Sequence, residues 1–244
     1  NIYYRTSGGA TPYDIPIVLN DTGHTNGANS YTWNPVHDVN SEAVQIQVLD
    51  KNNSLVLASS TAAFAIRPTI TVTSPIASDR LVVGDTTQTN IIKWTKDGTT
   101  GNVKVLYDSG AGYLDPANVI ADNVPVGNGI AGIAWNPIPD SISSAVRVKV
   151  VDKSNLNVFD ESDAFKIKGS ITMAAPTTAG ANLVAGSAQT VNWSMTGTLP
   201  AKDVEYNLNG GVGGWTAIGG QAAIGAVSHA WNPIPTTTTN SAQV

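Results

Sequence analysis

The sequence predicts an all-β protein built from β-sandwich repeats of about 100 residues each. The triplet Trp-Asn-Pro begins at Trp33, Trp135 and Trp231, at separations of 102 and 96 residues. Short runs of valine and isoleucine alternate with polar residues, and Gly, Asn, Asp, Ser or Pro interrupts the chain about every 8 to 12 residues. The regular triplet spacing indicates internal repeats, and the other two patterns are typical of short strands joined by turns.

One strand that occurs in two copies shows the period of two most clearly. Residues 44–54 read VQIQVLDKNNS, and residues 146–156 read VRVKVVDKSNL. Successive side chains of a strand point to opposite sheet faces, so alternate apolar residues share one face. We expect that face to be buried in both copies; its residues are Val44, Ile46 and Val48 in the first and Val146, Val148 and Val150 in the second.

The Trp-Asn-Pro triplet is interpreted as a strand end that also fills the core. Trp135 would end a strand beginning near Ile130 and bury its ring against the opposite sheet, while Pro137 removes a ladder donor. An earlier strand carries a second tryptophan in IIKW, ending at Trp94, and in TVNW, ending at Trp193. The predicted structural core residues are therefore Trp33, Trp94, Trp135, Trp193 and Trp231.

Residues 69–168 carry these motifs in one continuous order. They contain ITVTSP, Gly84, IIKW, GNVKVLYDSGAG, IAWNPIPD, VRVKVVD and DESDAFKI. This order resembles the KNH-like domain of the Ser-Thr-rich cell-wall and surface-protein family, which also occurs as tandem modules in large prokaryotic exported proteins. The resemblance implies tandem immunoglobulin-like sandwiches at an extracellular cell surface, without catalytic residues.

The repeat alignment predicts three units. Residues 1–68 form a partial repeat that lacks its first strands, 69–168 a complete repeat, and 169–244 a partial repeat that lacks its last strands. Two interpretations stay open: a fragment of a longer array, or an assembly in which a neighbouring subunit supplies the missing strands.

Composition argues against several functions. Only 13% of the residues are charged and the net charge is −5, so there is no basic face for nucleic acid. The chain has no cysteine, and no apolar run approaches the ~20 residues of a membrane-spanning helix. Residues 127–132 (GNGIAG) match a dinucleotide-binding pattern, but IAWNP follows in place of the required helix. We expect surface histidines at His24, His37 and His229, and neither catalytic residues nor cofactor-binding residues.

The densest carboxylate cluster, DESD at residues 160–163, is a candidate calcium site together with Asp152. Asp152, Asp160 and Asp163 could offer hard oxygen ligands near a domain junction. The positions equivalent to residues 160–163 in the first copy are Ser59, Ser60, Thr61 and Ala62, so the repeat has no general ion site. A solvated turn is the alternative interpretation.

One aromatic residue follows a glycine-rich turn in every copy. Tyr13, Tyr113 and Trp215 come after SGGATP, SGAG and NGGVGG. A row of such rings could stack on sugar faces, whereas the alternative is that each ring packs its own turn onto the sandwich.

Two functions follow from these predictions. The first is a non-catalytic extracellular structural protein, a building block of a surface layer, sheath, filament or stalk whose partners are copies of itself or neighbouring repeats. The second is an adhesin or a carbohydrate-binding accessory array of a larger secreted protein, with surface glycans as partners.

Overall fold

A computed structural model describes residues 1–8, 12–23, 27–89, 91–129, 131–176 and 182–244. Within these ranges the regular structure consists of eighteen β-strands and one short 3-10 helix at Val126–Gly129, with no α-helix. Every sheet in the described residues joins strands of one predicted unit only. The all-β prediction is confirmed.

The first unit contains one sheet. Its strands follow in the order β2-β1-β3-β4, and β5 also pairs with β3. The strands are β1 (Ile2–Arg5), β2 (Ile15–Val18), β3 (Ser41–Leu49), β4 (Leu57–Ser59) and β5 (Phe64–Ile66).

The middle unit contains two sheets that face each other. One has the order β10-β9-β11-β13-β7 with β12 also paired to β11, and the other joins β6 to β8. The strands are β6 (Thr69–Ser74), β7 (Arg80–Val82), β8 (Lys93–Asp97), β9 (Val103–Asp108), β10 (Val119–Val124), β11 (Ser143–Asp152), β12 (Phe159–Glu161) and β13 (Phe165–Lys168). Two mainly antiparallel sheets packed over one core, with β7 and β13 parallel, form an immunoglobulin-like sandwich.

The core of the middle unit lies between these sheets. β11 contributes Val146, Val148 and Val150, each fully buried, as the alternation predicts. They belong to one cluster with Trp94 of β8 and with Trp135, which are 1% and 5% exposed.

The third unit has a three-stranded sheet and a two-stranded sheet. The three-stranded sheet has the order β14-β15-β18, and β16 pairs with β17. The strands are β14 (Ser170–Ala175), β15 (Gln189–Thr196), β16 (Glu205–Tyr206), β17 (Thr216–Ala217) and β18 (Ser228–Trp231). Its core cluster contains Val191, Trp193, Ile218 and Trp231.

The prediction of a strand that begins near Ile130 and ends at Trp135 is wrong in its extent. Ile130 lies outside the described residues, and the structure has only an isolated bridge between Ile92 and Ile133. Gly132 has a φ of +85°, which is not an extended conformation. Gly132 precedes Trp135 by three residues, and in the third unit Ser228 precedes Trp231 by three residues. There a strand does run from Ser228 to Trp231.

The predicted burial of Val48 is also wrong. Val44 is fully buried and Ile46 partly buried, but Val48 is 53% exposed, whereas its counterpart Val150 is fully buried. No described strand of the first unit corresponds to β6 or β8, so no second sheet covers this end of β3.

Candidate functional sites

Each Trp-Asn-Pro tryptophan packs against a tyrosine from a neighbouring strand. The ring centroids are 5.0 Å apart for Tyr4 and Trp33, 5.1 Å for Tyr107 and Trp135, and 5.1 Å for Tyr206 and Trp231. These tyrosines were not identified from the sequence. Their signal was a tyrosine 29, 28 and 25 residues before the three tryptophans.

The segment after the triplet pairs with a glycine turn in two units. Ile138 accepts a backbone hydrogen bond from Gly84, and Ile234 accepts one from Gly186, both at 2.9 Å. Ile138 is 1% exposed and Ile234 7% exposed. Gly84 and Gly186 stand 102 residues apart, at equivalent positions of the two units, so the contact between the glycine turn and the segment after the triplet recurs and closes the end of the sandwich.

The five predicted core tryptophans differ in burial. Trp94, Trp135, Trp193 and Trp231 are buried in the clusters of their own units. Trp33 is only partly buried, and His37 packs edge-on against its ring at 5.5 Å.

The three calcium candidates have different surroundings. Asp152 is fully buried, and its carboxylate accepts hydrogen bonds from the backbone of Gly101 and Ser154 and from the Asn40 side chain. Asp160 accepts the backbone N–H of Val72, and Asp163 is exposed. Among the described residues, no group of three or more His, Cys, Asp or Glu side chains could hold a metal ion.

Asp152 is held in its charged form by these donors. Burial raises its pKa, but the hydrogen bonds from Ser154, Gly101 and Asn155 outweigh burial and leave the pKa below its usual value. Its oxygens are thus occupied by the protein itself, and the role that the geometry assigns to Asp152 is structural.

The glycine-turn aromatics do not share one environment. The Arg5 guanidinium lies 4.3 Å from the ring centre of Tyr13, and the Lys149 ammonium lies 5.4 Å from that of Tyr113. Cations over ring faces are attracted to the π-electrons and cover part of the surface that a sugar would need. Trp215 is 43% exposed, more than either tyrosine.

Tyr113 is further embedded by its neighbours. Burial and the nearby Glu161 raise the pKa of Tyr113 well above its usual value. Lys149 also lies 3.7 Å from the ring centre of Phe159, so one ammonium links two aromatic rings of the sandwich. This favours the packing interpretation for Tyr113.

The two described histidines make local contacts. His37 Nδ1 lies 3.1 Å from the Tyr4 hydroxyl, and His229 Nε2 lies 2.6 Å from the backbone oxygen of Ile218. Both are partly buried, which differs from the expected surface placement, and His24 lies outside the described residues.

The units follow one another with almost no linker. β5 ends at Ile66 and β6 begins at Thr69, while β13 ends at Lys168 and β14 begins at Ser170. Between the last two stands Gly169, where an added Cβ would lie only 2.4 Å from the backbone oxygen of Thr196. Only glycine fits that junction without displacing backbone.

A polar cluster joins the first two units. Asn155 of the middle unit donates to the side chains of Asn40 and Glu42 at 2.7 Å each. Glu42 also accepts two hydrogen bonds from Arg67, at 2.7 and 2.6 Å. The hydrogen bonds from Arg67 and then Asn155 lower the pKa of Glu42 to about 2.

An apolar cavity opens on the core of the third unit. It has a volume of about 110 Å³ and its lining includes Ile171, Met173, Val191 and Trp193. Val191 is fully buried, but Ile171 is 50% exposed. In the middle unit β11 and β13 lie in the sheet that covers the corresponding strands, and the described residues of the third unit contain no counterpart of either.

Comparisons with known proteins find no family and only distant structural neighbours. No protein-family model matches the chain, and no curated protein matches it. Among solved structures, the fibronectin(III)-like modules of Clostridium thermocellum CbhA are 17% identical, with a TM-score of 0.23, over 68% of this chain and 80% of that chain. The three N-terminal domains of the bacteriophage RB49 Highly Immunogenic Outer Capsid protein (Hoc) are 12% identical, with a TM-score of 0.25, over 96% and 76%. TM-scores this low carry no argument about function.

The described residues contain no helix that is long and apolar enough to span a membrane.

Proposed function

We propose that this chain is a non-catalytic extracellular structural protein, a building block of a surface layer, sheath, filament or stalk made of tandem immunoglobulin-like domains. The observation that carries the proposal is the direct joining of the units, with one or two residues between consecutive strands at each junction. Domains that only tether a ligand or an enzyme tolerate flexible linkers. A protein that spans a fixed distance needs short, packed junctions, because these restrict the motion of one domain relative to the next.

Other features support the same proposal. The resemblance of residues 69–168 to KNH-like surface domains supports a location at a cell surface. The acidic, weakly charged composition suits a protein whose partners are copies of itself or neighbouring repeats, not nucleic acid.

Electron microscopy of the purified chain and of the native particle tests this function. We expect straight, beaded rods from the chain and a filament or lattice from the particle. A matched control carries a flexible Gly-Ser insertion between Pro68 and Thr69, which should give bent rods with the domains still folded. Particles in which the wild-type domains lie at random angles would contradict the proposal. So would turnover of a glycan, peptide or ester by the complete chain that one polar substitution abolishes.

A second candidate is a carbohydrate-binding or adhesive module. The exposed ring of Trp215 favours it, because a free indole face can stack on a sugar. Binding to a glycan panel should then fall with Trp215→Ala and persist with Tyr113→Ala, because Tyr113 is less exposed and Lys149 lies over part of its ring. Equal binding by the wild type and Trp215→Ala would exclude this role for Trp215.

A further inference from the structure

One position after the Trp-Asn-Pro triplet is acidic in two copies. Asp38 and Asp140 each stand five residues after the triplet tryptophan, and Thr236 stands there in the third copy. Both carboxylates reach across a junction to the next unit, where each contacts a threonine that follows a glycine.

The contacts at the two junctions have the same chemistry. Thr99 donates its backbone N–H and its hydroxyl to the two oxygens of Asp38, both at 2.7 Å. Thr198 donates its hydroxyl at 2.7 Å and its backbone N–H at 2.9 Å to Asp140. A carboxylate that accepts two hydrogen bonds from one residue fixes direction as well as distance.

The glycine before each threonine is required twice over. Gly98 has a φ of +85° and Gly197 one of +77°, a backbone region that other residues rarely adopt. An added Cβ at Gly98 would also lie 3.0 Å from Asp38 Oδ1, and one at Gly197 would lie 3.1 Å from Asp140 Oδ1. A side chain at either position would therefore strain the backbone and crowd the carboxylate that the following threonine binds.

We propose that the acidic end of the first and of the middle unit is a docking surface for the Gly-Thr turn of the following unit, and that this Asp–Thr pair sets the angle between the two units. In sequence terms, the pattern W-N-P-x-x-D in one domain selects a partner domain with Gly-Thr directly after its tryptophan strand. The inference rests on the proposed structural function and adds the contact that orients consecutive domains.

The third copy supplies the natural contrast. Thr236 is exposed and carries no charge, so it cannot offer two carboxylate oxygens to a Gly-Thr turn. Asp140→Thr therefore places the third copy's residue at the second junction. It removes the carboxylate that accepts the hydrogen bonds of Thr198, and the new side chain is one that the repeat already uses at this position. Asp163→Asn is the matched control, because Asp163 is exposed and lies outside both junctions.

The test measures the distance between spin labels placed on consecutive units. The chain has no native cysteine, so Ala117→Cys and Ala223→Cys, both at exposed positions, label the middle and third units alone. We expect one narrow distance distribution for the wild type and for Asp163→Asn. The distribution should broaden or shift for Asp140→Thr and for Thr198→Val, and it should stay narrow for Thr198→Ser, which keeps the hydroxyl. Each variant must retain the wild-type far-ultraviolet circular dichroism and melting temperature of the middle unit.

The outcomes separate the two proposals. A narrow wild-type distribution that keeps both its width and its mean distance in Asp140→Thr shows that the Asp–Thr contact does not set the angle, but leaves the rod-like function intact. A broad wild-type distribution overturns both. A variant that loses the fold is replaced by Asp38→Asn with labels at Ala58→Cys and Ala117→Cys, which tests the equivalent contact at the first junction under the same two criteria.

Discussion

The first and middle units share a strand pattern but bury it to different degrees. Val150 of β11 is fully buried, and its counterpart Val48 of β3 is 53% exposed. Ile138 after the middle triplet is 1% exposed, and Val36 after the first is 52% exposed. The middle unit has β6 and β8 and a glycine turn to cover these residues, whereas the described residues of the first unit contain none of the three.

This contrast shows that a two-residue alternation of apolar side chains defines one face of a strand, but does not ensure that the face is buried. Burial requires a second sheet at about 10 Å, which comes from strands distant in sequence. The same apolar residue therefore contributes to stability in one unit and little in the other.

The largest expected difference concerns the triplet tryptophans. Trp135→Ala should cost the middle unit ~3–5 kcal/mol, because it removes a buried ring that packs against Tyr107 and Phe165 and leaves a cavity. Trp33→Ala should cost the first unit less, since Trp33 is only partly buried. Native-state hydrogen exchange of the β9 and β3 amides measures the two losses separately. Equal losses would show that the two cores are equivalent despite their different cover.

A smaller effect is expected from the paired valines. Val150→Ala should destabilise the middle unit by about 2 kcal/mol, because a fully buried side chain loses two methyl groups. Val48→Ala should change the stability of the first unit by less than about 0.5 kcal/mol, as exposed substitutions do. The same exchange experiment reads both, and a cost at Val48 that matches Val150 would indicate that another part of the protein covers β3.

The polar cluster at the first junction should respond to acid. The pKa of Glu42 lies at about 2 in the folded protein, below its ordinary value of 4.5. A depressed pKa means that the contribution of the contact is complete above pH 4.5 and is lost as the pH falls through about 2. The Asp38 pKa is also lowered, chiefly by the hydrogen bonds from Thr99, so the two carboxylates weaken in the same direction.

Spin-label distances between the first two units, measured from pH 5 downward, check this expectation. The wild type should lose its narrow distribution in that range, and Glu42→Gln should show a smaller change because one of the titrating groups is gone. An identical pH profile in both proteins would show that Glu42 does not contribute to the pH dependence of the junction.

The smallest expected effect is that of calcium removal. Chelation should leave the melting temperature of the middle unit unchanged, because the Asp152 carboxylate already accepts hydrogen bonds from Gly101, Ser154 and Asn40. Differential scanning calorimetry with and without chelator measures this. A drop of many degrees, abolished by Asp152→Asn, would establish a calcium site that these donors conceal.

Several features could be read from the sequence because they are local or repeat. The alternation in residues 146–150 predicts a strand with one apolar face, and the three Trp-Asn-Pro triplets predict three copies of one unit. Both signals depend on neighbours along the chain, and the strand geometry that they reflect is the same in any sandwich.

Other features depend on groups far apart in sequence, and only the tertiary structure decided them. The sequence makes Asp152 a calcium candidate, and only the fold shows that Asn40, 112 residues away, and Gly101 donate hydrogen bonds to its oxygens. Asp38 and Thr99 stand 61 residues apart, and the residues next to either one do not indicate that the two are in contact. Carboxylates look alike in a sequence, because their role is set by which donors the fold brings within 3 Å and by how much water it excludes.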